Sequence, residues 1–400
     1  MTHHTSPEPS STRLPVIIAG AGIGGLTAAV ALRRAGIPVE IYERATRLRA
    51  AGSGLSVMSN AVAALASLGI DLGLSKRGQD VETFRVLDER GELIREQPLK
   101  AVTDALGVPS VCVTRADLQE ALLAELDGAP PVLGHAVADH ETGPAGVTVR
   151  FENGTTVRGS ALVGADGFHS AVRRGLVGAE PSQDSGYICW LAVTPFARPH
   201  LPAGYVGHYW GAGRRFGLID VGHGRYYWWG TKNMPAERSR AWDGDKAEIL
   251  DTYAGWADEV CDIIRATPME SVLAVPSQDR PFLERWGEGP VTLLGDAAHP
   301  MLTSLGQGSA MAIEDAVVLA GCLGASPDDP AGAFRRYEDL RRDRVRAVVA
   351  ASRSVSETEQ LEDPAARRAR DEALRDADEQ ALREQFRALL HWPPLPLPSA

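Results

Sequence analysis

A glycine-rich turn near the N-terminus constrains the fold of this chain more than any other stretch. The apolar run Val16–Ala19 leads into glycines at the Gly20-x-Gly22-x-x-Gly25 spacing, and a segment rich in alanine and leucine follows. This order predicts a buried strand, a tight turn and a helix whose free N–H groups can hold a pyrophosphate. The middle glycine lets phosphates approach the backbone because no Cβ intervenes, and the last lets helix and strand pack closely.

An acidic residue stands where such a turn needs one. The segment Val39–Tyr42 predicts a second strand, and Glu43 follows it, about 20 residues after the glycines. A carboxylate at this point can accept hydrogen bonds from ribose hydroxyls. An ordinary glycine turn is the alternative interpretation. Because strand, helix and acid are all in place, the sequence predicts a dinucleotide site.

The overall charge narrows the classes of partner. The chain has 400 residues and a formal net charge of −11, which argues against a surface that binds nucleic acid or anionic lipid through phosphates. No apolar run reaches the roughly 20 residues needed to cross a bilayer. We therefore predict a small-molecule partner, with no nucleic acid and no membrane, for a monomer or homodimer.

The cysteines and the ends of the chain give further expectations. Residues 1–12 are polar and lack the apolar core of a signal peptide, and 391–400 is rich in proline, so both are expected to be flexible tails. Four cysteines are scattered without CxxC or metal-ligand spacing: Cys112, Cys189, Cys261 and Cys322. This predicts no metal site and no disulfide framework, and it favours the cytoplasm.

Two later segments repeat the pattern of a buried strand that delivers an acid. Ala161–Gly164 is followed by Asp166-Gly167, and Val291–Leu294 is followed by Gly295-Asp296. Ligands of open α/β sheets bind at the carboxyl ends of strands, so these acids are candidate ligand contacts. Asp166 can also cap the helix after it, and the two roles are compatible.

A second glycine loop lies beyond the third strand. Gly306-Gln307-Gly308 leads into an apolar helix, so backbone N–H groups can face an electron-rich ring edge or carbonyl. Asp296 can accept hydrogen bonds from ribityl-type hydroxyls. The adjacent acids Glu314-Asp315, further along this helix, are assigned to solubility or local bonding.

Aromatic residues concentrate between Gly186 and Met234. The glycine turns among them predict an antiparallel sheet. An aromatic sheet face is usually core, and a wall over a flat apolar ligand is the alternative. His208 and His223 are interpreted as turn or packing residues. The candidates for substrate contact are Trp190, Tyr209 and Trp228.

Taken together, the three motifs resemble those of one enzyme family. The Gly20 turn with Glu43, Gly164-Ala165-Asp166-Gly167 and Gly295-Asp296-Ala297-Ala298-His299-Pro300 are similar to the single-component, p-hydroxybenzoate hydroxylase-like (class A) FAD-dependent aromatic monooxygenases, from Leu14 to about Arg346. The resemblance implies an α/β fold with a Rossmann-like FAD-binding domain, an inserted antiparallel β-sheet substrate domain and C-terminal helices. The expected ranges are 13–75, 101–183 and 281–330 for the FAD domain, 76–100 and 184–280 for the substrate domain, and 331–390 for the helical region.

The resemblance also implies roles for individual residues. The glycine turn is similar to the pyrophosphate site, Glu43 to the ribose acceptor and Asp296 to the ribityl contact. Asp166 matches a motif thought to serve both FAD and NAD(P)H. The full set of expected FAD contacts is Gly20, Gly22, Ile23, Gly24, Gly25, Glu43, Arg44, Ser56, Arg115, Val137, Asp166, Gly295, Asp296, Gly306, Gln307 and Gly308.

The implied reaction consumes a nicotinamide and oxygen. NADH or NADPH would dock transiently and reduce tightly bound FAD, and O2 would give a C4a-hydroperoxide that hydroxylates or epoxidises the substrate. His299, Pro300 and Gln307 border the expected flavin ring and are the candidate catalytic residues. Many relatives have Arg directly after the aromatic residue of the first substrate-domain strand, whereas Leu191 follows Trp190 here. A buried carboxylate without its cation is costly, so a largely neutral aromatic or polycyclic substrate is expected.

Two alternatives remain open at this stage. One is an FAD-dependent dehydrogenase or reductase that inserts no oxygen, and the other is a flavoprotein without enzymatic activity. The second is motivated by two departures from the family pattern: Ala310 replaces an Asn of the Gly-Gln-Gly-Ala-Asn loop, and the substrate-domain Arg is missing.

Overall fold

The computed structural model describes residues 13–48, 52–144 and 146–393. The predicted N-terminal tail at 1–12 lies outside the described residues, as do residues 394–400 of the predicted C-terminal tail.

The described residues form an α/β fold with four sheets. The strands are β1 (Val16–Ala19), β2 (Val39–Glu43), β3 (Gly54–Val57), β4 (Gln79–Asp80), β5 (Thr83–Asp88), β6 (Leu93–Glu96), β7 (Val111–Thr114), β8 (Val132–Leu133), β9 (Val137–Gly143), β10 (Gly146–Phe151), β11 (Thr156–Gly159), β12 (Ala161–Gly164), β13 (Gln183–Pro195), β14 (Tyr205–Gly211), β15 (Arg214–Asp220), β16 (Arg225–Asn233), β17 (Leu273–Asp279), β18 (Gly287–Glu288) and β19 (Val291–Leu293). The helices are α1 (Ile23–Arg34), α2 (Ser59–Ser67), α3 (Leu74–Arg77), α4 (Leu99–Leu106), α5 (Arg115–Ala124), α6 (Ala171–Val177), α7 (Ala236–Arg240), α8 (Lys246–Thr252), α9 (Asp258–Ala266), α10 (Gly308–Ala325), α11 (Pro330–Glu359), α12 (Pro364–Arg375) and α13 (Glu379–Leu390). Short 3₁₀ helices span Met269–Ser271, Gly295–Ala297 and Thr303–Leu305.

The first sheet has six strands in the order β18-β19-β12-β1-β2-β8. All neighbours pair in parallel except β18 and β19. Its central strands are buried along their whole length, as expected for a parallel sheet covered on both faces. The carboxyl ends of β1, β2, β12 and β19 therefore share one edge, and each of the three predicted motifs ends at this edge.

The second sheet has seven strands in the order β17-β13-β16-β15-β14-β5-β6. It is antiparallel except where β14 pairs with β5. The hairpin of β5 and β6 belongs to this sheet and not to the first one. The segment that follows β16 contains two longer helices, α8 and α9, with a break between them.

The two faces of the seven-stranded sheet have different coverings. One face, which we call the distal face, packs on α8 and α9 in a separate apolar core. The opposite face, the proximal face, turns toward the six-stranded sheet, since Val206, Ile219 and Val221 belong to the same core as that sheet. Because side chains alternate along a strand, neighbouring residues of β13 to β16 lie on opposite faces.

Helix α10 lies at the centre of the molecule. It contacts α1, α2 and α11, and most of its residues are buried. By length and composition alone it could cross a membrane, but its burial identifies it as a core helix of the fold. Gly306 precedes it with φ +62°, a left-handed conformation that favours glycine. Asp329 caps the N-terminus of helix α11, because its carboxylate accepts a hydrogen bond from the Gly332 amide. Pro330 is the first residue of the helix.

Candidate active site

The first glycine turn is fixed by close backbone contacts. Gly20 has φ +105°, and a Cβ there would overlap the carbonyl oxygen of Ala165, which follows β12. A Cβ on Gly25 would overlap the carbonyl oxygen of Gly20. Gly24 faces Leu294 and Ala312, with the nearest side-chain carbon 2.7 Å from a Cβ built there. These three glycines are required for α1, β12 and α10 to pack together.

Gly22 has a different role, because its environment is open. The nearest atom to a Cβ built there is Nη2 of Arg115, at 3.8 Å. Helix α1 begins at the next residue, Ile23, with no side-chain cap and no acid in its first turn. The guanidinium of Arg115 is exposed, and within residues 13–48, 52–144 and 146–393 it makes no hydrogen bond or ion pair. Open amides and a free cation around one gap suit a pyrophosphate.

Glu43 sits beside this gap. One carboxylate oxygen accepts a hydrogen bond from the Ala21 amide at 2.8 Å, and the other accepts one from the Ala45 amide at 2.9 Å. These bonds hold the carboxylate at the edge of the glycine turn, with lone pairs left for hydroxyl donors. The amide of His135 donates to the carbonyl of Glu43 at 2.9 Å, which brings the start of β9 and its buried Val137 near the same place.

Cationic and polar groups lie at the rim. Arg44 is exposed, and burial together with the charges of Arg280 and Arg44 lowers the pKa of His169. Ser56, half-buried in β3, has its carbonyl oxygen 3.4 Å from the Ser309 hydroxyl at the start of α10.

Asp166 performs the capping role and retains a free oxygen. Oδ2 accepts hydrogen bonds from the amides of Ala171 and Val172, at 2.7 and 3.3 Å, at the start of α6. Oδ1 is buried without a hydrogen-bond partner in the described part of the chain. Burial raises the pKa of this carboxyl, and the bonds from Ser170 and the backbone offset part of that rise. An oxygen left unpaired beside the glycine turn is available to a ligand hydroxyl.

Asp296 is the carboxylate at the end of the third strand. It follows Gly295, which has φ +60°, and its side chain is exposed. Among the described residues, the Asp296 carboxylate makes no ion pair and no hydrogen bond. The second glycine loop follows at Gly306–Gly308, where a Cβ on Gly308 would come no closer than 4.0 Å to another group. A free carboxylate next to an open glycine loop fits a polyol chain leading to a flat ring.

His299 and Gln307, predicted to be catalytic, are instead held in a buried network. His299 is 2% exposed, and its Nε2 lies 2.6 Å from Asp315 Oδ2. Gln307 is 1% exposed, and its Oε1 accepts a hydrogen bond from Asn60 Nδ2 at 3.0 Å. Both side chains are buried and bonded to other protein groups, which does not support the predicted catalytic role. Pro300, between them, is also buried.

Helix α10 supplies the acidic centre of this network. Glu314 Oε1 accepts a hydrogen bond from Asn60 at 2.7 Å, and Glu314 Oε2 pairs with Arg341 Nη1 at 2.5 Å. Arg341 Nε also donates to Asp315 Oδ1 at 2.7 Å. Burial alone would raise the pKa values of both acids, but the nearby cations outweigh it and hold each pKa below its ordinary value. Both acids are completely buried, so assigning them to solubility was wrong, whereas local bonding is confirmed.

The three aromatic residues predicted to contact substrate lie on the wrong face. Trp190, Tyr209 and Trp228 are all 0% exposed and belong to the distal core beneath α8 and α9. The Tyr209 hydroxyl donates to Glu259 at 2.7 Å, and the Trp228 indole donates to Thr267 at 2.9 Å. Their surfaces are filled by protein atoms, so they cannot form the wall of a pocket on the proximal face.

The residues next to them in sequence were missed and do line the proximal face. Leu191, Tyr227 and Trp229 are half-buried, whereas their neighbours on the same strands are fully buried. His208 and Phe84 continue this surface on β14 and β5. The alternation of side chains along each strand could have identified them, if the residues next to Trp190, Tyr209 and Trp228 had been assigned to the ligand face. We call Leu191, Tyr227, Trp229, His208 and Phe84 the proximal wall.

The elements that flank the second glycine loop also contact the seven-stranded sheet. The Ser352 hydroxyl of α11 donates to the carbonyl of Leu302 at 2.5 Å, which ties the loop to α11. Four residues further along α11, Ser356 bonds the hydroxyl of Tyr187 on β13 at 3.0 Å. On the other side, a Cβ on Gly54 of β3 would overlap Tyr227. Helix α11 thus contacts both the loop and β13, while β3, which Ser309 contacts at the start of α10, lies against Tyr227 of the wall.

Fold and site together define an FAD-binding flavoprotein in which an aromatic sheet lies beside the nucleotide-binding sheet. The FAD binding domain family matches residues 13–352, and the chain belongs to this family. It is an FAD-dependent monooxygenase.

Known relatives cover nearly the whole chain. It is 37% identical over 384 residues to an aurachin C monooxygenase/isomerase of Stigmatella aurantiaca, covering 96% of this chain and 100% of that one. It is 36% identical over 397 residues to a 3-amino-4-hydroxybenzoate 2-monooxygenase of Streptomyces platensis, covering 94% and 95%. The crystal structure of Klebsiella pneumoniae HpxO with FAD and uric acid has a TM-score of 0.86 at 30% identity, covering 94% and 96%.

Arg115 provides a first test of the pyrophosphate site. Replacing Arg115 with methionine is expected to weaken FAD binding by about tenfold or more, as for loss of a hydrogen bond to a charged group. The free energy of unfolding without FAD should stay within about 0.5 kcal/mol, because the side chain is exposed. FAD dissociation constants measured by fluorescence would show this. Arg33→Met, in the last turn of α1, is the matched control, and equal affinities for the two variants would contradict the assignment.

Proposed function

We propose that this protein inserts oxygen into a largely neutral aromatic or polycyclic compound that lies between the second glycine loop and the proximal wall. The observation that carries the proposal is the exposure pattern of the seven-stranded sheet. Its distal face is a sealed core, whereas Leu191, Tyr227 and Trp229 stay half-open on the proximal face. Half-open aromatic and aliphatic groups around a few polar atoms are typical of a small-molecule site.

The chain's own residues would hold FAD along the edge of the six-stranded sheet. Gly22, the amides of α1 and Arg115 fit the pyrophosphate, Glu43 fits the adenosine ribose, and Asp296 fits the ribityl chain. When bound, FAD would supply the redox chemistry: with two electrons from NADH or NADPH, one atom of O2 would enter the substrate and the other would leave as water. The remaining expected contacts, among them Ser56, Val137 and Arg44, stay predictions.

The protein's part in the reaction is positioning and exclusion of water. The His299 and Gln307 network fixes the two loops that border the expected ring, and the proximal wall places the substrate against them. An apolar chamber keeps water away from reactive species. The described part of the chain holds a single nucleotide-binding sheet, so we propose that the nicotinamide docks only transiently.

The neutral character of the substrate follows from the charges near the wall. Arg215 is the cation behind it, and this guanidinium is buried and paired with Glu359. Arg225, on the same face of β16 as Tyr227 and Trp229, is paired with Asp117 at 2.8 Å. Neither guanidinium is therefore free to pair with an aromatic carboxylate. Uric acid, the compound named in the HpxO structure, is flat and bicyclic, so it supports the ring shape of the proposed substrate and not its charge. We also propose a cytoplasmic monomer or homodimer, in keeping with four free, buried cysteines.

Oxygen incorporation tests the proposal directly. The purified holoprotein is expected to oxidise NADH or NADPH faster when neutral aromatic compounds are added, and isotopically labelled O2 should place one labelled atom in the product. Nicotinamide oxidation without label in the product would favour a dehydrogenase or reductase. Bound FAD that neither nicotinamide reduces would favour a flavoprotein without activity.

A further inference from the structure

His208 is a polar side chain in an otherwise apolar surface. The strand registers place Leu191 opposite Trp229, Trp229 opposite Gly217, and Gly217 opposite His208, so these residues form one row across the sheet. A Cβ on Gly217 would overlap the indole of Trp229, which shows that this ring lies over the glycine and reaches toward His208. The imidazole therefore stands at the end of the aromatic row on the proximal wall.

Two aromatic rings hold the imidazole edge-on. Its centroid lies 4.8 Å from Phe84 with an interplanar angle of 67°, and 5.0 Å from Trp229 with an angle of 83°. These contacts fix the orientation of the ring but satisfy neither nitrogen. Among the described residues neither nitrogen has a hydrogen-bond partner, and neither is sealed from its surroundings. A polar group fixed in an apolar wall needs a partner, and a ligand lying against the wall would supply one.

The imidazole is neutral at physiological pH. Burial, together with the positive charge of Arg215 on β15, lowers the pKa of His208 to about 3. A neutral imidazole has one N–H donor and one bare nitrogen that accepts. The Arg215 guanidinium lies 4.8 Å from the centroid of Trp229, one of the two rings that contact His208. It is paired with Glu359. His208 thus offers the wall an acceptor without adding a positive charge.

We propose that His208 selects the substrate by accepting a hydrogen bond from an N–H or O–H group on the aromatic ring system. The proposal rests on the proposed function and narrows its substrate class to neutral phenols and N–H heterocycles. An aromatic carboxylate would meet no free cation here and would place a charge against apolar rings, which is unfavourable. A fully alkylated ring would leave the imidazole nitrogen unpaired, which costs more than a missing attraction.

A pair of probes that differ in one donor tests this assignment by binding alone. Quinolin-4(1H)-one carries a ring N–H, and 1-methylquinolin-4-one lacks it. Titration of the FAD-loaded protein, followed by flavin absorbance, gives both dissociation constants without turnover. The wild type is expected to bind the N–H compound about tenfold more tightly than the methylated one.

Variants of His208 separate hydrogen bonding from shape. His208→Phe is expected to bring the ratio of the two constants to about one, and His208→Gln, which keeps an acceptor, should restore part of it. His200→Phe is the matched control, because His200 lies near Glu259 of the distal helix α9. FAD content should equal that of the wild type in all three variants.

Three results would overturn the assignment: an unchanged ratio in His208→Phe, tighter binding of the methylated probe by the wild type, or binding of neither probe. None of these would affect the oxygen-incorporation test, which a panel of other aromatic compounds can still pass. Conversely, failure of oxygen incorporation with an intact binding ratio would reject the proposed function and leave His208 as the donor-selective contact.

Discussion

A protein in which Arg341 is replaced by methionine is expected to lose about 3–5 kcal/mol of its free energy of unfolding. Arg341 is the cation shared by Glu314 and Asp315, and all three side chains are buried. Without Arg341, both carboxylates stay in the core. Glu314 keeps one cationic partner, Arg344, and Asp315 keeps the imidazole of His299. Breaking a buried pair on one side is costly because the remaining charge has lost its compensation.

Urea unfolding of the holoprotein at a fixed FAD concentration measures this loss. Arg383→Met is the matched control, since Arg383 pairs with Glu379 on the surface and exposed pairs contribute about 1 kcal/mol or less. Equal stabilities of the two variants would show that the buried network does not stabilise the fold. The buried network also holds Asn60 and Gln307. The Arg341 variant should therefore bind FAD more weakly as well.

The pH dependence of this difference has a definite sign. In the wild type the pKa values of Glu314 and Asp315 lie below their ordinary values of 4.5 and 3.8, so their stabilisation is present above those values and lost as pH falls through the lower folded-state values. When Arg341 is removed, less positive charge opposes the effect of burial on the pKa values of Glu314 and Asp315. Both carboxyls therefore protonate at higher pH. The stability gap is therefore largest near neutrality and shrinks in acid.

The nucleotide-binding edge could be predicted from sequence for a simple physical reason. Each motif consists of a short buried strand followed at once by glycine and an acid, and parallel strands bring their carboxyl ends to one edge. Glu43, Asp166 and Asp296 thus converge although more than 250 residues separate the first from the last. The glycine positions carry steric information that does not depend on distant residues, as the overlaps at Gly20 and Gly25 show.

The buried network could not be predicted in the same way. Its members come from α2, the segment after β19, the second glycine loop, α10 and α11, and no sequence spacing relates Asn60 or Arg341 to Glu314. One local signal existed: two adjacent acids interrupt a helix that is apolar on all sides, and buried charges must be paired. That signal indicates partners in the core but does not identify them.

For the substrate site, the aromatic strands were predicted correctly, but the residues chosen on them lie on the wrong face of the sheet. Composition identified β13, β14 and β16 as aromatic, but a shift of one residue moves every side chain to the other face. Which phase faces the second glycine loop depends on where α8, α9 and α11 pack, and this is a property of the whole fold. Trp228 and Trp229 are adjacent, yet one is core and the other is wall.

These two tryptophans allow a test in which the same substitution has different consequences. Trp228→Ala is expected to lower the free energy of unfolding by about 3–5 kcal/mol, because it empties a sealed site in the distal core. Its ring stacks on Phe216 at 5.4 Å, and its indole N–H bonds the Thr267 hydroxyl. Where the variant still folds, its affinity for an aromatic substrate should be near that of the wild type.

Trp229→Ala is expected to behave in the reverse manner. The half-buried ring packs over Gly217 and against Arg215, so its loss should cost less than half as much stability as that of Trp228. Removing the flat surface of the wall should raise KM for the most active neutral aromatic compound by about tenfold, the size expected from about 1.4 kcal/mol of lost stacking. Steady-state oxygen uptake gives KM, and urea unfolding gives stability. If Trp228→Ala instead raised KM while Trp229→Ala left it unchanged, the substrate would lie on the distal face and the proximal wall would be only an interface between the two sheets.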